Sequence, residues 1–350
     1  MLETSPWSYT CVLITGGTGT FGRAMTRYLL DTYPSLTIRL LSRNEYLQHQ
    51  MAQACAAPAL RFFLGDVRDP DRLARACDGV DLVIHAAALK HVPVGEYDPT
   101  EFWKTNVAGT DNVIRACEAC GVQQAILLSS DKAVHATNVY GNTKALGERL
   151  FIQGNHYTPH GCRFACTRYG NVMAAHGSVV EVWRAALAAG QPLRLTDGGM
   201  SRFWMDAAQA VRLVAWVAQH GLRGGVVVPH LPAFTLADLA TAMAPEAYQV
   251  HTLGVRPGEK LAEQLMTADE LARATWYGPG ADVPVYYTIP PQTQWWGDTD
   301  VRSMWVTPPG QTQTGAVRQG VPYTSDTWPF RLGVDDLRAK LAALEDGRPC

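Results

Sequence analysis

Short, largely apolar runs recur along the first half of the chain, each followed by a longer stretch with helical spacing. The runs are Cys11-Val12-Leu13-Ile14, Thr37 to Leu41, Arg61-Phe62-Phe63-Leu64, Asp81-Leu82-Val83-Ile84-His85, Ala125-Ile126-Leu127-Leu128 and Phe164 to Tyr169. Segments this short, with little polar alternation, suit strands covered on both faces, as in a parallel sheet. Between them the pattern turns amphipathic: a helix through about Leu30, one from Asn112 to Cys120, one starting near Asn138 and one from about Val179 to Ala189. Strand and helix in alternation predict an α/β fold, a Rossmann-type doubly wound parallel sheet. Beyond Ala189 the pattern loosens and turn signals multiply, at Gly198-Gly199, Gly224-Gly225, Pro257-Gly258, Gly278-Pro279-Gly280 and Pro308-Pro309-Gly310. A smaller C-terminal substrate-binding domain is expected there. Residues 1–172 plus about 203–230 are assigned to the Rossmann domain, and about 173–202 and 231–350 to the second. The second carries an arm from about Pro290 to Thr324, rich in Gln, Thr, Pro and Gly, and a closing amphipathic helix from Gly333 to Leu344.

At 350 residues the chain can bury a large core. A net charge of −2 and the lack of a basic block argue against a nucleic-acid partner, so an anionic ligand has to be held by a few placed cations. Met1-Leu2-Glu3-Thr4-Ser5-Pro6 has neither a basic nor an apolar stretch, and no run of about 18 apolar residues occurs. A soluble, cytoplasmic protein with no membrane partner is the expectation. Eight scattered cysteines suit reduced, partly buried thiols. Cys117 and Cys120 form a C-x-x-C, but no second pair completes a metal site, and none is expected; Cys11, Cys162 and Cys166 read as packing.

The first apolar run leads into Thr15-Gly16-Gly17-Thr18-Gly19-Thr20-Phe21-Gly22 and a helix. Glycines at 16, 19 and 22 permit a tight turn, close approach of a pyrophosphate and close helix packing, which is a dinucleotide-binding opening. The second strand ends in Ser42-Arg43, a hydroxyl and a guanidinium where an acid would face a ribose 2′-hydroxyl, so the cofactor is read as NADP. Asp66, in Gly65-Asp66-Val67, is placed at the adenine, with a helix cap before Pro70 as its alternative. Ala86-Ala87-Ala88 offers small side chains to the nicotinamide ribose. Lys90 and His91 follow off the same strand end, and Asn106 is either a cap or a buried active-site amide.

The chemistry is concentrated from Ser129 to Lys144. In open α/β sheets ligands lie off the carboxyl ends of strands, which is where Ser130, Asp131 and Lys132 fall. Tyr140 and Lys144, four residues apart, share one face of a helix. An ammonium beside a phenol stabilises the phenolate, so Tyr140 is expected to have a lowered pKa and to act as a base.

These residues resemble the extended short-chain dehydrogenase/reductase superfamily and, within it, the soluble inverting UDP-N-acetylglucosamine 4,6-dehydratases of bacterial glycan biosynthesis. The resemblance rests on the glycine loop, Ser42-Arg43, Ala86-Ala87-Ala88-Leu89-Lys90-His91-Val92-Pro93, Ser129-Ser130-Asp131-Lys132-Ala133, Tyr140-Gly141-Asn142-Thr143-Lys144, Arg168-Tyr169-Gly170-Asn171-Val172, Arg202-Phe203-Trp204 and Arg256-Pro257-Gly258-Glu259-Lys260. Retaining sugar dehydratases carry Asp-Glu where this chain has Asp131-Lys132. The resemblance implies that Tyr140 with Lys144 removes the sugar 4-hydroxyl proton. It implies that Lys132, its pKa lowered by burial and by Lys144, takes the C5 proton, that Asp131 protonates the departing 6-hydroxyl and that Ser130 hydrogen-bonds the 4-oxygen. It further implies that Gly16, Thr18, Gly19, Thr20, Phe21, Gly22, Ser42, Arg43, Asp66, Val67, Ala87, Lys90, Asn106, Tyr140, Lys144 and Val172 contact NADP. Lys90, Ser130, Asn171, Arg202, Arg256 and Glu259 then contact the UDP-sugar, and the chain forms a homo-oligomer. The family usually has Thr at position 130; Ser130 keeps the hydroxyl. A C4 epimerase or reductase on this scaffold needs the tyrosine and lysine without an elimination pair, and a non-catalytic NADP-sensing protein needs neither.

Overall fold

The computed structural model describes residues 7–157, 161–175, 177–220, 223–244, 248–278, 285–291 and 322–346. The expected arm from Pro290 to Thr324 lies outside the described residues except at its two ends. The six runs form strands β1 (Cys11–Thr15), β2 (Thr37–Ser42), β3 (Leu60–Leu64), β4 (Leu82–His85), β5 (Gln124–Leu128) and β6 (Arg163–Thr167). After them come β7 (Leu193–Leu195), β8 (Ser201–Phe203), β9 (Val226–Pro229), β10 (Ala233–Thr235), β11 (Val250–Thr252), β12 (Gln264–Met266), β13 (Thr275–Tyr277), β14 (Tyr286–Ile289) and β15 (Tyr323–Thr324).

Nine strands make one sheet in the order β13-β14-β9-β6-β5-β4-β1-β2-β3. From β3 to β9 every pairing is parallel. Strands β1, β4 and β5 are buried along their whole length, because helices cover both faces, and that is why their sequences do not alternate. The chain runs from β1 outward to β3, then restarts at β4 on the other side of β1. This reversal opens a crevice at the carboxyl ends of β1 and β4, the usual seat of a ligand in such sheets.

A second core is built from Trp183, Trp204, Phe234, Leu239 and Leu337, and the pairings of β8 with β10 and β7 with β11 feed it through Phe234, Leu193 and Leu195; β12, paired with β15, packs Leu265, Met266 and Tyr323 into the main core instead. Two strands from the segment expected in the second domain extend the central sheet: β14 pairs antiparallel onto β9, and β13 antiparallel onto β14. Their buried Tyr277, Tyr287 and Ile289 join the main core there. Among the described residues no helix is long and apolar enough to cross a membrane, and no group of three His, Cys, Asp or Glu is arranged to hold a metal ion. The seven described cysteines are free; Cys117 is buried, and Cys120 donates to the Ala74 carbonyl at 3.5 Å.

Candidate active site

A cleft of about 690 Å³ lies over the carboxyl ends of β1, β2, β4, β5 and β6. Thr18, Gly19, Thr20, Phe21 and Gly22 line it at one end. Gly16 has φ +70°, and a Cβ there would stand 2.9 Å from the Ala87 nitrogen, so the loop can lie against Ala86-Ala87 only as glycine. A Cβ at Gly22 would meet the Gly17 carbonyl. Gly19, the N-cap of the helix Thr20–Thr32, provides no side-chain cap. Two further hydroxyls on the cleft wall, Thr105 Oγ1 and Ser129 Oγ, are buried without a hydrogen-bond partner. Tight glycine cradle, uncapped helix and orphaned hydroxyls together fit a dinucleotide.

Ser42, Arg43, Asp66 and Val67 line the far end of the cleft. The Ser42 hydroxyl accepts from Gln48 Nε2 at 3.0 Å, while Arg43 is half-exposed, with Nη1 3.6 Å from Asp66 Oδ2. Burial works against the Asp66 carboxylate, yet Arg68, at 2.7 Å, and Arg43 hold its pKa below the usual value. Asp66 is not the helix cap: Asp69 fills that role, accepting from the Arg72 N–H at 3.0 Å. Asn106, on the π-helix Trp103–Ala108, is an internal amide and not a cap. Its Oδ1 accepts from Leu89 N–H at 2.8 Å, and its Nδ2 donates to Leu89 O at 2.9 Å and Thr143 Oγ1 at 3.0 Å. It does not line the cleft; it ties the Ala86-to-Lys90 loop to the helix that carries Tyr140. Ala87, Lys90 and Val172 do line it.

At the end of β5 the chain turns sharply through Asp131–Ala133, and His135 is held at φ 43°, a region costly for a side chain of its size. The His135 ring meets Gln264 Oε1 at 2.9 Å, which anchors this strained turn from another part of the chain. Helix Val139–Tyr157 starts at once: Asn138 Oδ1 accepts from Gly141 N–H at 2.7 Å, and Glu96 Oε1 from Val139 N–H at 2.7 Å. Ser130, Lys132, Tyr140 and Lys144 all reach the cleft. Asp131 is fully buried beneath them; its Oδ1 accepts from Ser130 Oγ at 2.9 Å and Lys132 Nζ at 3.1 Å, and its Oδ2 has no partner.

The Lys132 ammonium also meets Asn171 Oδ1 at 3.0 Å and Glu263 Oε1 at 3.2 Å. Burial opposes its charge, but Asp131 and Glu263 outweigh burial and raise its pKa. The expected lowering of this pKa is therefore corrected: two carboxylates dominate, and Lys144 is not among the groups that act on it. Tyr140 needs a similar correction. Burial pushes the phenol up, and the opposing groups are Lys132 and Ser130. Lys144, buried one turn on, is itself lowered to about 8 by burial, against Glu148 and Cys166.

Three expected substrate residues stand apart from the cleft. Arg202 spends its guanidinium on the carbonyls of Ser201 (2.7 Å) and Leu261 (3.2 Å). Arg256, about half-exposed, pairs loosely with Glu259 at 3.8 Å. Their loop nonetheless bears on the site: Gly258, at φ +79°, accepts from Asn138 Nδ2 at 2.8 Å, and Lys260 Nζ donates to Val134 O at 2.6 Å. Glu263 escaped the sequence reading. It lies four residues beyond Glu259, with no periodicity or motif spacing to mark it, and only the folded chain brings it to Lys132.

A Rossmann sheet, a glycine-cradled dinucleotide cleft and a tyrosine and lysine on one helix define a nucleotide-dependent enzyme scaffold of the short-chain dehydrogenase type. The family of polysaccharide biosynthesis proteins matches residues 12–281, and the chain belongs to it. It is 40% identical over 324 residues to UDP-N-acetylglucosamine 4,6-dehydratase (inverting) of Campylobacter jejuni, spanning 91% of this chain and 93% of that one. It is 38% identical over 286 residues to a UDP-glucose 4-epimerase of Rickettsia canadensis, spanning 80% of this chain and 82% of that one. Among solved structures, Pen from Bacillus thuringiensis superposes with a TM-score of 0.82 at 31% identity, covering 95% of this chain and 97% of that chain. DesIV, a dTDP-glucose 4,6-dehydratase of Streptomyces venezuelae with NAD bound, gives 0.65 at 26% identity, covering 72% and 86%.

Proposed function

We propose that the protein dehydrates UDP-N-acetylglucosamine to a UDP-4-keto-6-deoxy-N-acetylhexosamine with inversion at C5, using NADP. The observation that carries this reading is the Asp131–Lys132 ion pair at 3.1 Å, whose Lys132 lines a glycine-cradled cleft together with Tyr140. Exchange at C4 alone, as in an epimerase, has no use for such a pair. A nicotinamide dinucleotide held by the glycine loop supplies hydride acceptance from C4 and its return at C6. Tyr140 takes the 4-hydroxyl proton, and Ser130, next to it on the cleft wall, steadies the 4-oxygen. The C4 ketone acidifies the C5 proton, which Lys132 removes, while Asp131 gives a proton to the leaving 6-hydroxyl. In the resting pair the proton is on Lys132. Its movement across 3.1 Å to Asp131 Oδ1 makes amine and acid together, and elimination of water restores the original pair. Reduction at C6 is completed by a solvent proton that reaches C5 on the face opposite Lys132 and so inverts it, and the proton held by Tyr140 passes back to solvent. Lys90 and Asn171, on the cleft wall, meet the UDP-sugar.

Incubation with UDP-N-acetylglucosamine in deuterated water is expected to give a product lighter by one water, with one deuteron at C5 and the L-arabino configuration. No NADPH should accumulate, because the hydride returns within the cycle. Retained C5 configuration would exclude inversion, and a product of unchanged mass would favour the epimerase reading.

The preference for NADP rests on Arg43, half-exposed at the end of β2 and held loosely by Asp66. Arg43→Asp is expected to weaken NADP binding about tenfold or more and to favour NAD, through loss of a charge-assisted bond to the 2′-phosphate. Equal affinity of the unmodified protein for NAD and NADP, by calorimetry, would remove the basis for this assignment.

A further inference from the structure

We infer that Glu263 is a positioning residue for Lys132: a fixed negative charge that keeps the amine basic during the interval when Asp131 is protonated. The inference rests on the role given to Lys132 in the proposed reaction. Glu263 is 2% exposed, on the segment entering β12, and reaches Lys132 Nζ with Oε1 at 3.2 Å. Its backbone is pinned on both sides, since its N–H donates to Ser325 Oγ and its carbonyl accepts from Ser325 N–H, each at 2.9 Å. The next residue, Gln264, meets the ring of the strained His135. Two consecutive side chains thus brace the turn Asp131–His135 from behind.

A single carboxylate suffices to neutralise Lys132, yet two are buried against it, and each leaves an oxygen unpartnered, Asp131 Oδ2 and Glu263 Oε2. Burying a second carboxylate is costly unless something uses its charge. The reaction supplies that use. Once a proton has crossed to Asp131, that residue is neutral. When Lys132 then takes the C5 proton, the new ammonium faces an uncharged acid until the 6-oxygen departs. Among the described residues, Glu263 is then the one that still offers it a negative charge at contact distance. The other charged or titratable groups around the pair are Tyr140 from the helix Val139–Tyr157, Arg202 from β8, Lys260 from the preceding loop and Lys90 from the loop after β4. Arg202 Nε is 3.9 Å from Glu263 Oε1 and shares that carboxylate without displacing Lys132. The pull of Asp131 and Glu263 on Lys132, already described, has the sign this role needs.

The test compares wild type with Glu263→Gln, which keeps the shape and removes the charge, and with Glu263→Asp, which keeps the charge on a shorter arm. Trace acylation with acetic anhydride at pH 8, read as modification of the Lys132 peptide by mass spectrometry, needs no turnover. Lys132 is expected to react about tenfold or more faster in the Gln variant, as a one-unit fall in its pKa requires. The surface Lys104 should be unaffected, and the Asp variant should fall between. Steady-state dehydration should lose about 10- to 100-fold in kcat, with KM within about threefold, the pattern of an interaction made mainly in the transition state. Unchanged Lys132 acylation in both variants overturns the inference, even if activity falls. If the Gln variant does not fold, the Asp variant decides by the same labelling, with a rise of about threefold as the threshold. Absence of water loss in the wild type overturns the dehydratase reading instead, and the labelling result separates the two failures.

Discussion

Lys132→Ala is expected to lower dehydration by about 10²- to 10⁴-fold, the usual cost of losing a positioned base. Tyr140 and Lys144 remain in place, so C4 oxidation should still occur slowly, visible as a bound reduced nicotinamide absorbing near ~340 nm without loss of water. The alanine variant also strands two buried carboxylates, Asp131 and Glu263, and some of its loss would come from local disorder. Lys132→Arg separates the two effects. It keeps a cation for both partners, but a guanidinium stays protonated and cannot accept the C5 proton. Both variants should therefore lose dehydration to a similar degree, while only alanine lowers the melting temperature. An arginine variant that dehydrates within about tenfold of wild type would show that the cation matters and the base does not.

What the sequence displayed of this molecule follows from how local each feature is. The strands of the parallel sheet announce themselves because burial on both faces leaves their centres apolar without alternation, as in β1, β4 and β5. The glycine loop and the stretch from Ser130 to Lys144 are contiguous, so strand end, turn and helix deliver their side chains to one cleft without help from elsewhere. The strands β13 and β14 escape the pattern because they are short and are defined by pairing, β14 with the distant β9 and β13 with β14, rather than by their own sequence. The charge state of Lys132 is hidden for a related reason: Glu263, one of the two carboxylates that raise its pKa, comes from a distant part of the chain. Arg202 shows the converse: a guanidinium that suits a phosphate in the sequence is spent on two backbone carbonyls in the fold.

Arg168→Leu is expected to cost about 3–5 kcal/mol of stability, because it breaks a buried ionic network by removing the cation that holds two glutamates at contact distance. Arg168, at the exit of β6, is 4% exposed. It meets Glu148 through Nε at 3.0 Å and Nη2 at 2.7 Å, and Glu270 through Nη1 at 2.9 Å and Nη2 at 3.0 Å, with Nη1 also donating to the Leu265 carbonyl at 3.0 Å. One guanidinium thus joins the Tyr140 helix, the sheet and the segment behind Lys132. Burial opposes the charge on Arg168, but the two glutamates overcome it and raise its pKa. Burial likewise opposes the Glu270 carboxylate, and Arg168 reverses the effect and lowers its pKa. A carboxyl lowered in the folded state contributes stability above its unfolded pKa, near ~4.3, and loses it as pH falls through the folded value. In the leucine variant Glu270 stays buried without its contact cation, so the lowering of its pKa is lost and burial pushes it up. The penalty is then full at neutral pH and fades as this carboxyl protonates. The difference in melting temperature between wild type and Arg168→Leu should accordingly be largest near pH 7 and shrink toward about pH 4. Adding Glu148→Gln and Glu270→Gln to the variant should recover part of the loss at pH 7. A difference that stays constant across this range would mean that Arg168 acts by packing, with its charge irrelevant to the fold.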